Sequence, residues 1–166
     1  MSAVSLPRGL YAVLDDGARP EVTLVEQARL LARAGVRVAQ VRCKRVVGRA
    51  AWESVRDAVD VLRQAGVVAL VNDRVDWALL SGADGVHVGD EDLPPAEARR
   101  LLGPDRIVGV TVRGSAGAAE AKAAGATYVG LGPVFATRTK QVPAPASCRA
   151  CSTSVTSGRA PSSATA

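Results

Sequence analysis

The sequence predicts a parallel α/β fold, and three observations carry that prediction. The first is a recurring phrase. "ARAGVRVAQVR", "RQAGVVALVND", "LSGADGVHVGD" and "KAAGATYVGLG" each read as a helix end, a glycine stop and a strand-like apolar run. The second is the spacing of the stops Gly35, Gly66, Gly82, Gly103 and Gly125, which suits strand–helix units rather than helical repeats. The third is the make-up of the runs. Several are nearly continuous Val, Ile, Leu and Ala, as parallel strands covered on both faces require.

The elements follow in chain order. A first strand is predicted over 10–15. The next helix shows Leu24, Ala28 and Leu31 at i, i+4 and i+7, one apolar face. Strands over 36–42 and 67–72 flank a second helix, and Asp73 or Arg74 opens a short third one. A strand over 85–89 leads to Pro94 and Pro95, which suit a helical first turn, with Glu97 near its positive end. A strand over 106–112 precedes Ser115, expected as the N-cap of "AGAAEAKAAG". The sixth strand is predicted over 128–135. Six strands alternating with five helices make either an open sheet or a (β/α)8 barrel. A barrel needs about 200 residues, so this 166-residue chain would form an incomplete one.

Composition narrows the function classes. Hydrophobic residues make up 48% of the chain, enough for one core, while aromatics at 3% leave little surface for stacking nucleic-acid bases. The net charge is +5, but Lys and Arg are scattered without a basic run. Small anionic ligands suit that pattern better than nucleic acid. Three cysteines (Cys43, Cys148, Cys151) and no leader-like N-terminus lead us to expect a reducing cytoplasm. The apolar runs are strand-sized, so no membrane span is expected.

Polar residues gather at the predicted C-terminal strand ends, where such folds place their chemistry. In "AQVRCK", Gln40, Arg42 and Lys44 are two apart and share one face. Inward-pointing groups of this kind need polar or anionic partners to offset desolvation. If the strand ended earlier, all three would be solvated. "VND" brings Asn72 and Asp73, the latter also a candidate helix cap. "GVHVGDED" places His87 within a strand, as a core histidine or a site residue, followed by Asp90, Glu91 and Asp92. One of these acids could join Asp73 around a hard cation such as Mg2+, which takes carboxylates together with phosphate oxygens. The alternative is a solvated acidic loop. Thr111 falls at the rim of the fifth strand. In "GLGPVFATRTK", Gly130 and Gly132 permit close approach, and Thr137, Thr139 and Lys140 could cradle phosphate.

Over residues 6 to 140 these motifs resemble the thiamine phosphate synthase family. The resemblance rests on "QVRCK", "VNDRVDWALLSGADGVHVGDEDLP", "IVGVT" and "YVGLGPVFATRTK", in that order. It implies a TIM-type (β/α)8 barrel that joins hydroxymethylpyrimidine diphosphate to a thiazole phosphate and releases pyrophosphate with Mg2+. By matching position, it assigns the pyrimidine diphosphate to Gln40, Val41, Arg42, Cys43, Lys44, Asn72, Thr111 and Lys140. The thiazole phosphate falls to Thr137, Arg138 and Thr139, and Mg2+ to Asp73 and Asp92. His87 matches a position lining the site. Cys43 stands where relatives usually carry an acid. Val112 and Arg113 follow "GVT" where relatives often place a His, which disfavours a thiazole tautomerase, the third reading.

The chain changes character after Lys140. Residues 141–166 are rich in Ser, Ala, Pro and Thr, lack apolar periodicity and contain two arginines but no acids. The reading is therefore a partial barrel domain over 1–140 and a disordered, low-complexity tail over 141–166, foreign sequence from a shifted frame or a truncation. The "CRAC" pair there is too sparse for a metal site. The resulting alternatives are a thiamine phosphate synthase and an inactive remnant that binds the pyrimidine diphosphate alone.

Overall fold

A computed structural model describes residues 6–132. The predicted alternation is present throughout them. The elements are β1 (Tyr11–Asp15), α1 (Leu24–Arg33), β2 (Val38–Arg42), α2 (Gly48–Gln64), β3 (Val68–Asn72), α3 (Val75–Leu80), β4 (Gly85–Val88), α4 (Pro95–Leu102), β5 (Ile107–Val112), α5 (Ser115–Ala123) and β6 (Tyr128–Leu131). Six parallel strands form one sheet in the order β1-β2-β3-β4-β5-β6. Each strand pairs with its sequence neighbour, the arrangement of a barrel wall rather than of a doubly wound sheet. The sheet curls into a half-barrel. The predicted extension of the sixth strand to 135, Thr137 to Lys140 and the segment 141–166 lie outside the described residues. Among those residues, no helix is long and apolar enough to cross a membrane.

Side-chain alternation sorts the strands into two layers. Leu14, Ala39, Val41, Ala69, Val71, Val86, Val88, Val108 and Val110 face outward and are buried under the helices, with Ala28, Val55, Val59 and Leu62 among the packing partners. The inner face starts with Val38, Leu70 and Ile107, packed with Leu6, Tyr11, Val68 and Tyr128. Above that apolar floor the inward side chains turn polar, and Gln40 among them is only 6% exposed.

The glycine stops act as expected. Gly35, Gly66, Gly82, Gly103 and Gly125 all have positive φ, between 69° and 86°, a region that costs other residues about 1 kcal/mol or more. Helix α1 starts on a capping box: Thr23 Oγ1 accepts from the Glu26 amide at 3.2 Å, and Glu26 accepts from the Thr23 amide at 2.9 Å. Two expected caps are corrected. Gly114, not Ser115, is the N-cap of α5, so Ser115 is the first helical residue. Arg74 does open α3, holding the N-cap position without a side-chain bond, but Asp73 does not cap it and sits one residue before at φ 62°.

At the N-terminal end of the sheet, Arg99 of α4 ties loops together. Its guanidinium donates to the carbonyls of Gly125 (3.1 Å), Gly103 (2.7 Å) and Arg106 (2.6 Å) and to Thr127 Oγ1 (3.0 Å). This face carries stability, leaving the opposite mouth for chemistry.

Candidate active site

The mouth of the half-barrel collects polar groups from β1 to β5 and the loops that follow them. On β1 and β2, Asp15 and Arg42 are direct register partners, and their side chains form an ion pair at 2.5 Å. Lys44, just past β2, pairs with Asp73 beyond β3. Gln40, Arg42 and Lys44 do share a face, as the spacing requires, and each has a polar partner: Gln40 meets Tyr11 and Asn72. Val41 alternates away from that face. It points outward into the helix layer at 1% exposure, so only its backbone belongs to the inner wall. Cys43 also turns from the trio. Its Sγ lies 3.4 Å from Asp16 Oδ2, and burial, then the neighbouring Asp16, pushes the thiol up to about 11. It is an inert thiol at neutral pH.

Asp16 organises the loop that carries Lys44. Its carboxylate accepts from the amides of Lys44 (2.9 Å), Arg45 (2.8 Å) and Val46 (2.9 Å). Burial opposes ionisation, but these donors outweigh it and hold the carboxyl below its ordinary value. Nothing in the local sequence singles out Asp16; its role depends on a loop 28 residues away.

Asp73 and Asp92 come together. Burial, then a hydrogen bond to Asp73, holds the Asp92 carboxyl above its ordinary value, against the pull of the Gly89 amide. That amide donates to Asp92 Oδ2 at 2.8 Å. Asp73 occupies left-handed backbone at φ 62°, a conformation that costs about 1–3 kcal/mol in general and concentrates at functional positions. Its amide donates to the His87 carbonyl at 2.8 Å. Asp90, another of the candidate acids, is occupied by Arg113 at 2.8 Å. No cluster of three or more His, Cys, Asp or Glu side chains positioned for a metal occurs among the described residues. Two neighbouring carboxyls nevertheless suit a divalent cation whose other ligands are water or phosphate oxygens.

A cleft of about 680 Å3 opens beside this pair, lined by Lys44, Arg49, Trp52, Asn72, Asp73, Trp77 and Asp92 among others. Trp52 and Trp77, the only two tryptophans, lie 6.2 Å apart between ring centroids. The Arg74 guanidinium stacks on Trp77 at 4.0 Å. The cleft thus offers cations, two carboxylates and an aromatic wall, a combination suited to a phosphorylated ligand with a cation.

Deeper in, a hydrogen-bonded chain crosses all six strands. Thr111 Oγ1 meets His87 Nε2 at 2.8 Å, and His87 Nδ1 meets the Tyr128 hydroxyl at 2.8 Å. Tyr128 meets the Tyr11 hydroxyl at 2.8 Å, Tyr11 donates to Gln40 Oε1 at 2.7 Å, and Gln40 Nε2 donates to Asn72 Oδ1 at 2.5 Å. Burial pushes the Tyr11 phenol up to about 12 and raises that of Tyr128 further, so both stay protonated. His87 and Thr111 are legible in the sequence as site residues. Tyr11 and Tyr128 are not, since tyrosines at the starts of strands look like floor packing. Gly109 makes the crossing possible: a Cβ there would stand 2.2 Å from Tyr128 Cζ.

Comparison with known proteins places this arrangement. The family model described as thiamine monophosphate synthase matches residues 10–166. The thiamine-phosphate synthase of Myxococcus xanthus (strain DK1622) is 59% identical over 140 residues, which are 84% of this chain and 64% of that protein. The thiamine-phosphate synthase of Anaeromyxobacter dehalogenans (strain 2CP-C) is 50% identical over 137 residues, covering 82% of this chain and 59% of its own length. Among solved structures, thiamine phosphate pyrophosphorylase from Pyrococcus furiosus superposes with a TM-score of 0.67 at 34% identity, over 75% of this chain and 60% of that one. An HpcH/HpaI aldolase from Desulfitobacterium hafniense DCB-2, 16% identical at a TM-score of 0.53, shares the fold. The chain spans about three fifths of the length of these synthases.

Proposed function

Since this chain belongs to the thiamine monophosphate synthase family, we propose that it joins hydroxymethylpyrimidine diphosphate to a thiazole phosphate, giving thiamine phosphate and pyrophosphate. The observation that carries the reading is the shared mouth of Gln40, Arg42, Lys44, Asn72, Asp73 and Asp92, with the cleft of about 680 Å3 beside it.

The chemistry assigns roles that these side chains suit. The bond between the pyrimidine methylene and the diphosphate oxygen breaks, and the diphosphate leaves with the electron pair. The thiazole nitrogen then forms a bond to the methylene carbon. Charge accumulates on the leaving group, so fixed cations lower the barrier more than a general base would. Lys44 is half exposed and pairs with Asp73; it would trade that partner for a diphosphate oxygen. Arg42, held by Asp15, would present its remaining donors to the same group. Gln40 and Asn72 would orient the pyrimidine, which turns collision into positioned attack. Asp73 and Asp92 would hold Mg2+, which when bound supplies positive charge to diphosphate oxygens. Thr137, Arg138, Thr139 and Lys140, the expected phosphate donors of "TRTK", lie outside the described residues.

Incubating the full chain with both phosphorylated substrates and Mg2+, and measuring thiamine phosphate, tests the proposal. Product formation is expected to require the cation and Lys44. A second reading has support of its own, because the residues proposed for the thiazole phosphate, Thr137 to Thr139, lie outside the described portion, while those proposed for the pyrimidine diphosphate, Lys140 excepted, lie within it. Calorimetry with each substrate separately distinguishes the two readings: binding of the pyrimidine diphosphate alone, without product, overturns the synthase in favour of a binding remnant.

A further inference from the structure

We propose that Tyr11 and Tyr128 relay hydrogen-bond polarity between the two edge strands, so that the His87 tautomer and the Gln40 and Asn72 carboxamides are set together as one two-state unit. The argument is a count of protons. Each tyrosine hydroxyl has one hydrogen to donate. Tyr11 donates to Gln40 Oε1, so toward Tyr128 it must accept. Tyr128 therefore donates to Tyr11 across their 2.8 Å contact, and must accept from His87 Nδ1 at 2.8 Å. The Nδ1 atom of a neutral imidazole then carries the proton, which leaves Nε2 as the acceptor for the Thr111 hydroxyl at 2.8 Å.

The same count runs outward from Gln40. With its Oε1 facing Tyr11, its Nε2 donates to Asn72 Oδ1 at 2.5 Å. One lone pair of the Asn72 oxygen is thereby used, and its amide nitrogen supplies donors for a ligand in the cleft that Asn72 lines. For a neutral imidazole, the bonds from Thr111 to Asn72 allow one other coherent setting. If both carboxamides turn over, Gln40 donates to Tyr11, Tyr11 donates to Tyr128, Tyr128 donates to His87 Nδ1, and Nε2–H donates to Thr111. The hydroxyls reverse by rotating about their C–O bonds. The imidazole loses its Nδ1 proton to water and gains one at Nε2, so net protonation is unchanged. Mixed settings place two donors or two acceptors against each other within a half-buried network, where an unmade bond is expensive.

The consequence is functional. A ligand acceptor at Asn72 selects the observed setting, and a ligand donor selects the reverse. Tyr11 and Tyr128 are thus positioning residues: they act on a ligand through Gln40 and Asn72. The relay rests on the synthase reading only for which ligand those two amides face.

The test is the 15N spectrum of the full chain labelled at histidine, recorded above the ordinary histidine titration range. His87 is the only histidine, so its two ring nitrogens report one tautomer. The expected spectrum has a protonated Nδ1 and a bare Nε2. Tyr11→Phe and Gln40→Leu cut the relay at different bonds and leave His87, Tyr128 and Thr111 unsubstituted. Each is expected to shift the tautomer ratio toward Nε2–H by about tenfold, the worth of one hydrogen bond. Either variant suffices if the other fails to fold. Gln40→Glu keeps an acceptor for Tyr11 and should leave the ratio unchanged. A dominant Nε2–H form in the parent chain overturns the proposal. So does an unaltered ratio in the folded cut variants, or a Gln40→Glu ratio shifted as far as that of Gln40→Leu. No substrate is needed, so a failed relay and a failed synthase assay are separate results.

Discussion

The hydroxyls of Tyr11 and Tyr128 meet at 2.8 Å although the two residues lie on opposite edge strands of the sheet, 117 residues apart in sequence. Their rings are 5.9 Å apart between centroids. The curl of the half-barrel is held across its open side by this contact, and Gly109 provides the room for it.

Gly109→Ala follows as a severe substitution. The added Cβ would stand 2.2 Å from Tyr128 Cζ, and overpacking of this kind costs about 1–3 kcal/mol. The denaturation midpoint should fall accordingly. Tyr128→Leu should recover part of the loss in the double variant, because the clash is with that ring. Additive losses would place the cost of Gly109→Ala elsewhere.

Cation binding should strengthen as pH rises. The Asp92 carboxyl is held above its ordinary value by burial and by Asp73, so a proton competes with the cation until pH passes that raised value. The sign for stability is opposite: without a cation, the contribution of protonated Asp92 is full below its ordinary value and lost as pH rises through the raised one. Asp92→Asn should lower Mg2+ affinity by about tenfold, on the order of 1.4 kcal/mol, and flatten its pH dependence. Calorimetry across about pH 4 to 7 spans the ordinary carboxylate range and beyond. Asp73→Asn should also weaken binding while preserving the fold, since asparagine tolerates the left-handed backbone.

Asp16 should matter more than its position in a surface loop suggests. Asp16→Ala removes the acceptor for three amides, with an expected loss of about 1–3 kcal/mol. Because its folded carboxyl is held below its ordinary value, its contribution is present above the ordinary value and fades as pH falls through the depressed one. Chemical denaturation at neutral and acid pH should show the parent and variant converging in acid.

Arg99→Ala should destabilise without altering the mouth. The side chain donates to three carbonyls and one hydroxyl at the opposite end of the sheet, and loss of such bonds costs about 2–3 kcal/mol. The melting temperature should drop while Mg2+ affinity at a temperature where the variant is folded stays the same. A large change in affinity would contradict the separation of a stability face from a chemical face.

Local chemistry makes the strand–helix rhythm legible. Gly35, Gly66, Gly82, Gly103 and Gly125 mark helix ends because the left-handed backbone they adopt excludes most other residues. Period-two spacing is enough to place Gln40, Arg42 and Lys44 on one face, because side chains alternate along a strand. The same rule turns Val41 outward, a conclusion that the motif "QVRCK" taken whole obscures. Cap positions are less legible: Ser115 and Gly114 both satisfy the start of α5, and a one-residue choice depends on how the preceding strand delivers the chain.

The order of elements, the stops and the inward-facing set thus follow from the sequence alone, since each depends on backbone preference over a few residues. Pairings across the mouth do not. Asp15 with Arg42, Asp16 with the Lys44 loop, Asp73 with Asp92, and Tyr11 with Tyr128 join residues from different turns of the chain. The first three arise from which strands pair and in what register, and the last from the curl of the sheet; neither is encoded by local preference. Only pairing and curl together turn a row of polar strand ends into one site.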